Sequence, residues 1–232
     1  MWAYSTCTKY SEEDLLEDIS NGKGRFDLSM YSSVTQATSM MGGRNVSACH
    51  ADTLKGFGSA SGVNLQNFYG WSEQSNKVVT IPINWLDYVK TKVTNCNTTI
   101  NSAIFKIVDS SGILKTTFSP KDLFGGNANN KLTSLVNWIF YEEHTIDLKN
   151  AFTSSNFPQL TTITDSFCGC KGTNIQYLQN IGDVEINAGF LYSNTKITNI
   201  SGSFGFTNYN SITVDLGTYL NWSSLPSKYN GF

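Results

Sequence analysis

The spacing of apolar residues changes along the chain, and no single period describes all of it. Near the start, Leu15, Leu16 and Ile19 have the spacing of one helical face. Ser11 is a good N-cap before three acidic residues, and the Asn-Gly pair at 21–22 is a common helix stop. This segment therefore predicts a short amphipathic helix.

From residue 21 to about residue 76 the chain is rich in Ser and Gly and shows no sustained period. Its large side chains allow two interpretations. One is a loop-rich lobe in which they form an ordinary core. The other is an arm that becomes ordered against a partner, because Tyr and Trp bury much area at little entropic cost. In that case the candidate attachment residues are Phe57, Phe68, Tyr69 and Trp71 in this stretch, together with Trp2 and Tyr4 at the start of the chain.

The middle of the chain combines the two periods. The β-branched run at 77–83 predicts a strand whose extent Pro82 limits, and residues 85–93 place apolar side chains roughly on one helical face. Two further strand-like runs, 103–108 and 113–118, flank a short turn that ends in Gly. That arrangement predicts a β-hairpin.

A Gly- and Asn-rich stretch at 124–130 is the most linker-like part of the sequence. It predicts a boundary, and the change of composition near residue 76 predicts another. The resulting parts are an N-terminal attachment segment with one helix (1–76), a small mixed region with a helix and a β-hairpin (77–125), and a repeat domain (126–232).

Two stretches of the last third share one form. Residues 152–167 and 190–204 each have a Phe, a polar turn with Asn, and then aliphatic-x-x-aliphatic-x-x-Ser-Phe, and a looser copy covers 167–178. One copy is too short to bury its apolar side, so stacked copies are expected, with Thr, Ser and Asn pointing outward and pairing along the stack. The predicted repeat core is Phe152, Leu160, Ile163, Phe167, Ile175, Leu178, Phe190, Ile197, Ile200 and Phe204.

The stack predicts two ladders in which the loose copy lies between the two good ones. Ile175 is expected on the rung between Leu160 and Ile197, and Leu178 on the corresponding rung of the second ladder. The phenylalanines are expected to form a spine beside them.

These units resemble BspA-type surface leucine-rich repeats, which carry a Phe, a small or Cys/Asn turn, and L-x-x-I. The resemblance covers roughly the last hundred residues, and the unequal distances between the phenylalanines depart from a regular horseshoe. It implies surface display and binding or adhesion without catalysis. The fold class expected for the whole chain is α+β and β-rich, with a mixed N-terminal portion and then a short, irregular leucine-rich-type solenoid.

Composition and charge argue against several classes of function. Charged residues are 15% of the chain, the net charge is -2, and Asn, Ser and Thr make up about a third of all residues. No run of Lys or Arg is present, so nucleic-acid binding has little support. No apolar run is long enough to span a membrane, and the first residues lack the features of a signal peptide. These features predict a protein that is made in a cytoplasm and stays soluble, or one that leaves by a route needing no leader.

The five cysteines are an odd and sparse set, which favours reduced thiols. Cys49-His50 and the pair Cys168 and Cys170 could supply zinc ligands, but zinc sites more often contain two C-x-x-C pairs. A cysteine nucleophile with His144 as its base lacks any local signature. Buried thiols are the commoner explanation for such residues.

A polysaccharide hydrolase needs two carboxylates in one cleft, and Asp165, Asp183 and Glu185 are the nearest candidates. Any β-rich protein offers such a trio, and no nucleotide-binding or metalloprotease motif is present. The sequence therefore predicts no enzyme, no catalytic residue, no metal site and no cofactor.

In style, the chain also resembles virion proteins of crAss-like tailed phages of Bacteroides, with a leaderless start, much Asn, Ser and Thr, and a Gly-rich front before a compact repeat domain. This resemblance implies a head fibre or capsid-decorating protein in the virion. It would dock on capsid or other virion proteins through its N-terminal portion and display the repeat domain to a host surface glycan or protein. A homo-oligomer, dimer or trimer, is expected. The alternatives are a BspA-like adhesion protein at a cell surface and a polysaccharide-acting hydrolase.

Overall fold

The structure, a computed structural model, describes residues 9–24, 45–66, 68, 77–98, 103–173, 175–178, 194, 196–205, 208–209 and 212–214. Its helices are α1 (Glu12–Ser20), a 3-10 helix (Ala51–Ser59) and α2 (Pro120–Phe124). Its strands are β1 (Lys9–Tyr10), β2 (Asn45–Val46), β3 (Val63–Asn64), β4 (Lys77–Pro82), β5 (Val93–Asn97), β6 (Ala103–Val108), β7 (Thr117–Phe118), β8 (Ser134–Val136), β9 (Ile139–Phe140), β10 (Thr145–Asp147), β11 (Thr162–Thr164), β12 (Lys171–Thr173), β13 (Ile175–Leu178), β14 (Asn208–Tyr209) and β15 (Ile212–Val214).

Neighbouring strands come from successive turns of the chain, and each pair of the described strands is parallel. The first sheet contains β3, β5, β8 and β11, the second β4, β6 and β9, and the third β7, β10, β12 and β14. From β5 to β10, each turn passes through the three sheets in that order. The protein is therefore β-rich, with few short helices and a parallel β-solenoid of about 4 turns.

Aromatic side chains fill the interior of the solenoid. Trp138 lies among them, with its ring centroid 4.2 Å from Phe105, 4.7 Å from Phe124 and 6.2 Å from Phe140. Farther along, the rings of Phe167 and Phe140 stack with centroids 5.6 Å apart. Burial of this many large rings is the main favourable contribution to folding.

The corner between the first and second sheets uses left-handed backbone. Asn137, Asp165 and Gly202 occupy equivalent positions in successive turns, with φ of 61°, 50° and 69°. Asn, Asp and Gly are the residues that adopt this conformation most readily. A side chain on Gly202 would also collide with the carboxylate of Asp165 in the preceding turn. The type of residue at this corner is thus set by backbone geometry.

The predicted N-terminal helix is confirmed as α1. The Ser11 side chain accepts a hydrogen bond from the backbone N–H of Asp14, whose carboxylate accepts one from the backbone N–H of Ser11. This capping box satisfies two N–H groups at the helix start. The helix then buries Leu15 and ends at its C-cap, Asn21.

Two predictions for the middle region need correction. Strand β6 pairs in parallel with β4 and β9. Across the turn that follows β6, the two predicted hairpin strands share only one antiparallel bridge, from Val108 to Leu114. The predicted hairpin therefore does not form, because both edges of β6 are occupied and the chain continues into the third sheet. Residues 85–92 form successive turns rather than the predicted helix, with backbone bonds such as Val89 N–H to Leu86 O at 2.8 Å.

Strand pairs cross the predicted boundary near residue 125 in all three sheets. β5 pairs with β8, β6 with β9, and β7 with β10. The buried residues also form one cluster that includes members of α1, the 3-10 helix and the solenoid. The ladders therefore show no break at 125, and which segments fold independently stays a prediction.

Candidate functional site

The strand register of the first sheet aligns four copies of a single unit. Ser134 pairs with Asn95 on one side and Thr162 on the other, and Thr162 bridges to Asn199. The aligned copies are Val93-Thr94-Asn95-Cys96, Leu132-Thr133-Ser134-Leu135, Leu160-Thr161-Thr162-Ile163 and Ile197-Thr198-Asn199-Ile200. The first two copies lack the Ser-Phe pair that makes the last two recognisable, so sequence reasoning missed them.

The apolar positions of each copy point inward and are buried. Because Thr162 is opposite Asn199, Leu160 is in register with Ile197 and Ile163 with Ile200, as the two predicted ladders require. The loose copy is placed differently: β13 pairs with β15, so Ile175 is opposite Ile212 and not between Leu160 and Ile197. The copy in the preceding turn, with Leu132 and Leu135, extends the ladders instead.

The second position of each copy is Thr, and these threonines form a hydrogen-bonded row on the outside. The backbone N–H of Thr133 donates to Thr94 O, that of Thr161 to Thr133 O, and that of Thr198 to Thr161 O, each at 2.9 Å. The hydroxyls of Thr133 and Thr161 donate to the same carbonyls at 2.9 and 3.1 Å. The row is thus ordered by the sheet backbone itself.

The outward positions of the four copies together form a surface without a charged side chain, which we call the polar face. It consists of Thr94, Asn95, Asn97, Thr133, Ser134, Val136, Thr161, Thr162, Thr164, Thr198, Asn199 and Ser201. Within it, the Ser134 hydroxyl lies 2.9 Å from Asn95 Oδ1 and 3.1 Å from Asn97 Oδ1. Hydroxyl and amide groups both donate and accept, and parallel rungs repeat about every 4.8 Å, so the polar face is a regular array of hydrogen-bonding groups.

Lysines border the polar face along one edge. Lys92, Lys131 and Lys196 each stand immediately before a copy of the unit. Each ammonium group donates to a backbone carbonyl of a neighbouring segment. Each of these charges therefore lies against a backbone carbonyl at a corner of the solenoid. The polar face beside them has no charged side chain.

The predicted attachment residues lie in two kinds of place. Phe57 and Phe68 are 0% and 2% exposed, so they belong to the core and have no surface free for docking. Trp2, Tyr4, Tyr69 and Trp71 lie outside the described residues.

Most of the predicted repeat-core residues belong to one buried cluster. Phe190 and the side chains of Ile175 and Leu178 lie outside the described part of the chain. The buried members are Phe152, Leu160, Ile163, Phe167, Ile197, Ile200 and Phe204.

The thiols of Cys96, Cys168 and Cys170 are held in their protonated form. Burial raises the pKa of Cys96 far above its ordinary value, raises that of Cys170 to about 12, and raises that of Cys168 as well. A cysteine nucleophile must be a thiolate, so this environment opposes that role. Within the described residues no cluster of three or more His, Cys, Asp or Glu could hold a metal ion.

His144 and Asp165, the two residues considered above for catalysis, contribute to the structure of the solenoid. His144 Nε2 accepts from the backbone N–H of Ile107 at 2.8 Å, and its Nδ1 lies 2.7 Å from Lys115 O. Asp165 is the corner residue described above, and its predicted hydrolase partners, Asp183 and Glu185, lie outside the described residues.

A groove with both polar and apolar lining residues lies beside α1. It has a volume of about 310 Å³, and its wall includes His50, Asp52, Asn84, Asp87 and Tyr88. The 3-10 helix supplies Asp52, and the turns after β4 supply Asn84, Asp87 and Tyr88. These residues do not repeat along the chain, so no periodic signal in the sequence could identify them.

Comparisons of the chain with protein-family models, with curated proteins and with solved structures find no match. Among the described residues no helix has both the length and the apolar character needed to cross a membrane.

Proposed function

We propose that this chain is a non-catalytic structural protein whose solenoid displays the polar face for binding to saccharide on a host surface. The observation that carries the proposal is the polar face itself. Eleven of its twelve residues are Thr, Ser or Asn, and Val136 is the exception. Protein-binding hot spots favour Trp, Tyr and Arg in apolar surroundings, and this face has none of them.

A polysaccharide has the complementary chemistry, because its hydroxyl groups donate and accept along a repeating chain. Each rung of the polar face offers a Thr and at least one further hydroxyl or amide group, about 4.8 Å from the next rung, so one polysaccharide chain lying along the ladder meets several rungs at once. Many weak contacts of this kind add to a useful affinity when they are made together.

The proposed setting is a virion, where the protein serves as a head fibre or capsid decoration in a dimer or trimer. Its support is the composition and the resemblance to virion proteins of tailed phages of Bacteroides. A leucine-rich origin of the BspA type stays part of the proposal, supported by the aliphatic-x-x-aliphatic units and their Ser-Phe ends. The N-terminal portion is the proposed docking part, with Trp2, Tyr4, Tyr69 and Trp71 as the remaining candidates.

The saccharide part is tested with immobilised capsular polysaccharide from Bacteroides and the purified full chain. The double variant Thr133→Lys with Thr161→Glu puts opposite charges on adjacent rungs, where they pair across the strands and disturb the fold little. We expect it to lose at least about tenfold in affinity. The control, Ala128→Lys with Ser154→Glu, changes two exposed residues outside the polar face and is expected to bind normally. Equal binding by both variants, or none by the parent chain, overturns the proposal.

The virion part is tested by mass spectrometry of purified phage particles whose genome encodes this chain. The protein is expected among the particle components at a fixed ratio to the capsid protein. Its absence from particles, together with its presence at the cell surface, would support the adhesion alternative instead.

A further inference from the structure

Lysines recur at one position of the first sheet, two residues before the threonine row. The strand register makes positions 92, 131, 159 and 196 equivalent, and they carry Lys, Lys, Gln and Lys. Lys and Arg together are 16 of the 232 residues, so composition alone would place fewer than one basic residue at four positions. We call this row of Lys92, Lys131 and Lys196 the lysine edge of the polar face.

The fold does not need a lysine at this position. Each ammonium group of the lysine edge donates to a backbone carbonyl, but the third rung has Gln159 there and keeps the same strand pairing. The Gln159 side chain is exposed, and its Oε1 accepts from Lys196 Nζ at 3.2 Å. Glutamine is therefore accepted at the lysine edge, and the backbone of the solenoid does not account for the three charges.

The charges of the lysine edge are not balanced within the described part of the chain. None of the three lysines forms an ion pair there, whereas Lys90 Nζ lies 2.9 Å from Asp87 Oδ1. The four rungs are 92–98, 131–137, 159–165 and 196–202. They contain three lysines and one carboxylate, that of Asp165 at the opposite end of its strand. The rungs are thus positive, although the net charge of the whole chain is -2.

The ammonium groups have donors left for a ligand, because each has three N–H groups. Lys131 uses one, to Ser61 O at 3.3 Å, and Lys196 uses two, to a backbone carbonyl at 2.6 Å and to Gln159 Oε1. Neighbouring rungs are about 4.8 Å apart, so Lys92 and Lys131 follow each other directly and Lys196 stands two rungs beyond. The lysine edge therefore runs in the same direction as the threonine row.

We propose that the polysaccharide bound by the polar face is acidic. Its negatively charged groups lie along the lysine edge, and its hydroxyls lie on the threonine row and the Asn and Ser groups beside it. This inference rests on the proposed function, because it identifies the class of saccharide for the same face. Hydrogen bonds between an ammonium and an anionic group are stronger than those between neutral groups. The positive rungs also attract a polyanion from a distance and favour one orientation of it on the sheet.

The test is biolayer interferometry on the full chain with a uronate-containing fraction of Bacteroides capsular polysaccharide. The fraction is immobilised in its native form and after reduction of its carboxyl groups to alcohols. The native form is expected to bind more tightly, and its binding to weaken as salt is raised. The double variant Lys131→Gln with Lys196→Gln copies the glutamine of the third rung. It is expected to lose roughly three- to tenfold in affinity for the native form and to bind the reduced form as the parent does. Gln159→Lys completes the row and is expected to gain about twofold or more.

The matched control is Lys149→Gln with Lys171→Gln, which removes two charges from exposed lysines outside the polar face. It is expected to bind the native form within about twofold of the parent, because distant exposed charges are screened. The inference is overturned if the parent binds both forms equally, or if the control loses as much affinity as the lysine-edge variant. Binding of the reduced form then leaves the proposed function standing, whereas binding of neither form overturns both.

Discussion

The inner and outer sides of the first sheet are built from the same four copies, yet different forces hold them. Inward side chains such as Leu135 and Ile163 are fully buried and pack on the aromatic interior. Outward side chains such as Thr133 and Thr161 are exposed, and their hydroxyls donate to backbone carbonyls of the preceding rung. Inward positions therefore set the stability of the fold, whereas outward positions are free to carry a function.

Trp138 is the strongest test of the inner side, because it contacts Phe105, Phe124 and Phe140 and its indole N–H donates to Cys96 O at 2.6 Å. Trp138→Ala is expected to lower the free energy of unfolding by about 3–5 kcal/mol, through the cavity and the lost hydrogen bond. Urea denaturation measures this change in the free energy of unfolding. The control Ile113→Ala, at a side chain 66% exposed, is expected to change stability by less than about 0.5 kcal/mol. Similar losses in the two variants would contradict the packing assigned to Trp138.

The Ser before each repeat Phe offers a finer test of the same side. The Ser166 hydroxyl accepts from the backbone N–H of Trp138 at 3.1 Å and donates to Thr164 O at 2.8 Å. Ser166→Ala leaves a buried N–H unsatisfied and is expected to cost about 1–3 kcal/mol in thermal or urea unfolding. Ser201→Ala, at an exposed serine of the outer side, is the matched control and is expected to be close to neutral.

The same contrast explains how much of the fold could be predicted. The α1 helix is encoded locally by its capping box and apolar face, and it is confirmed. The pairing of the last two copies could be predicted, because both contain the same aliphatic-x-x-aliphatic spacing followed by Ser-Phe. The hairpin at 103–118 was predicted wrongly because local sequence cannot show that β6 already has parallel partners 26 and 35 residues away in register, such as Val78 and Ile139 for Ile104.

The candidate site was predicted only in part, for a related reason. Outward Thr, Ser and Asn were expected along the stack, but the copies at 93–96 and 132–135 were missed, since Cys96 replaces an aliphatic residue and no Ser-Phe pair follows them. The groove joins Asn84 and Tyr88 to Asp52 from another segment. A site made of single residues brought together by folding leaves no repeating signal.

His144 provides a pH test of the inner side. Burial lowers its pKa below the ordinary value of 6.5, opposed in part by its hydrogen bond to Lys115 O and the nearby charge of Glu143. Its Nε2 accepts from Ile107 N–H, so the folded state needs the neutral ring. The unfolded chain therefore binds a proton at His144 more readily than the folded chain does. The stability contributed by the neutral His144 ring is complete above pH 6.5 and is lost as the pH falls below 6.5.

We therefore expect the thermal midpoint to fall as the pH is lowered from about 7.5 to about 5.5, and to fall less in His144→Gln, which cannot titrate in this range. Both proteins are measured in the same buffers by circular dichroism. An equal pH dependence in the two would show that His144 does not contribute it.

The smallest effect on stability is expected on the outer side, and it decides what the threonine row is for. Thr161→Ala removes a hydroxyl that donates to Thr133 O at 3.1 Å, but at an exposed position water can replace it. The change in unfolding free energy is expected to be below about 0.5 kcal/mol. Binding to capsular polysaccharide is expected to weaken measurably in the same variant. If stability instead falls by more than about 1 kcal/mol while binding is unchanged, the row holds the sheet together and the function lies elsewhere.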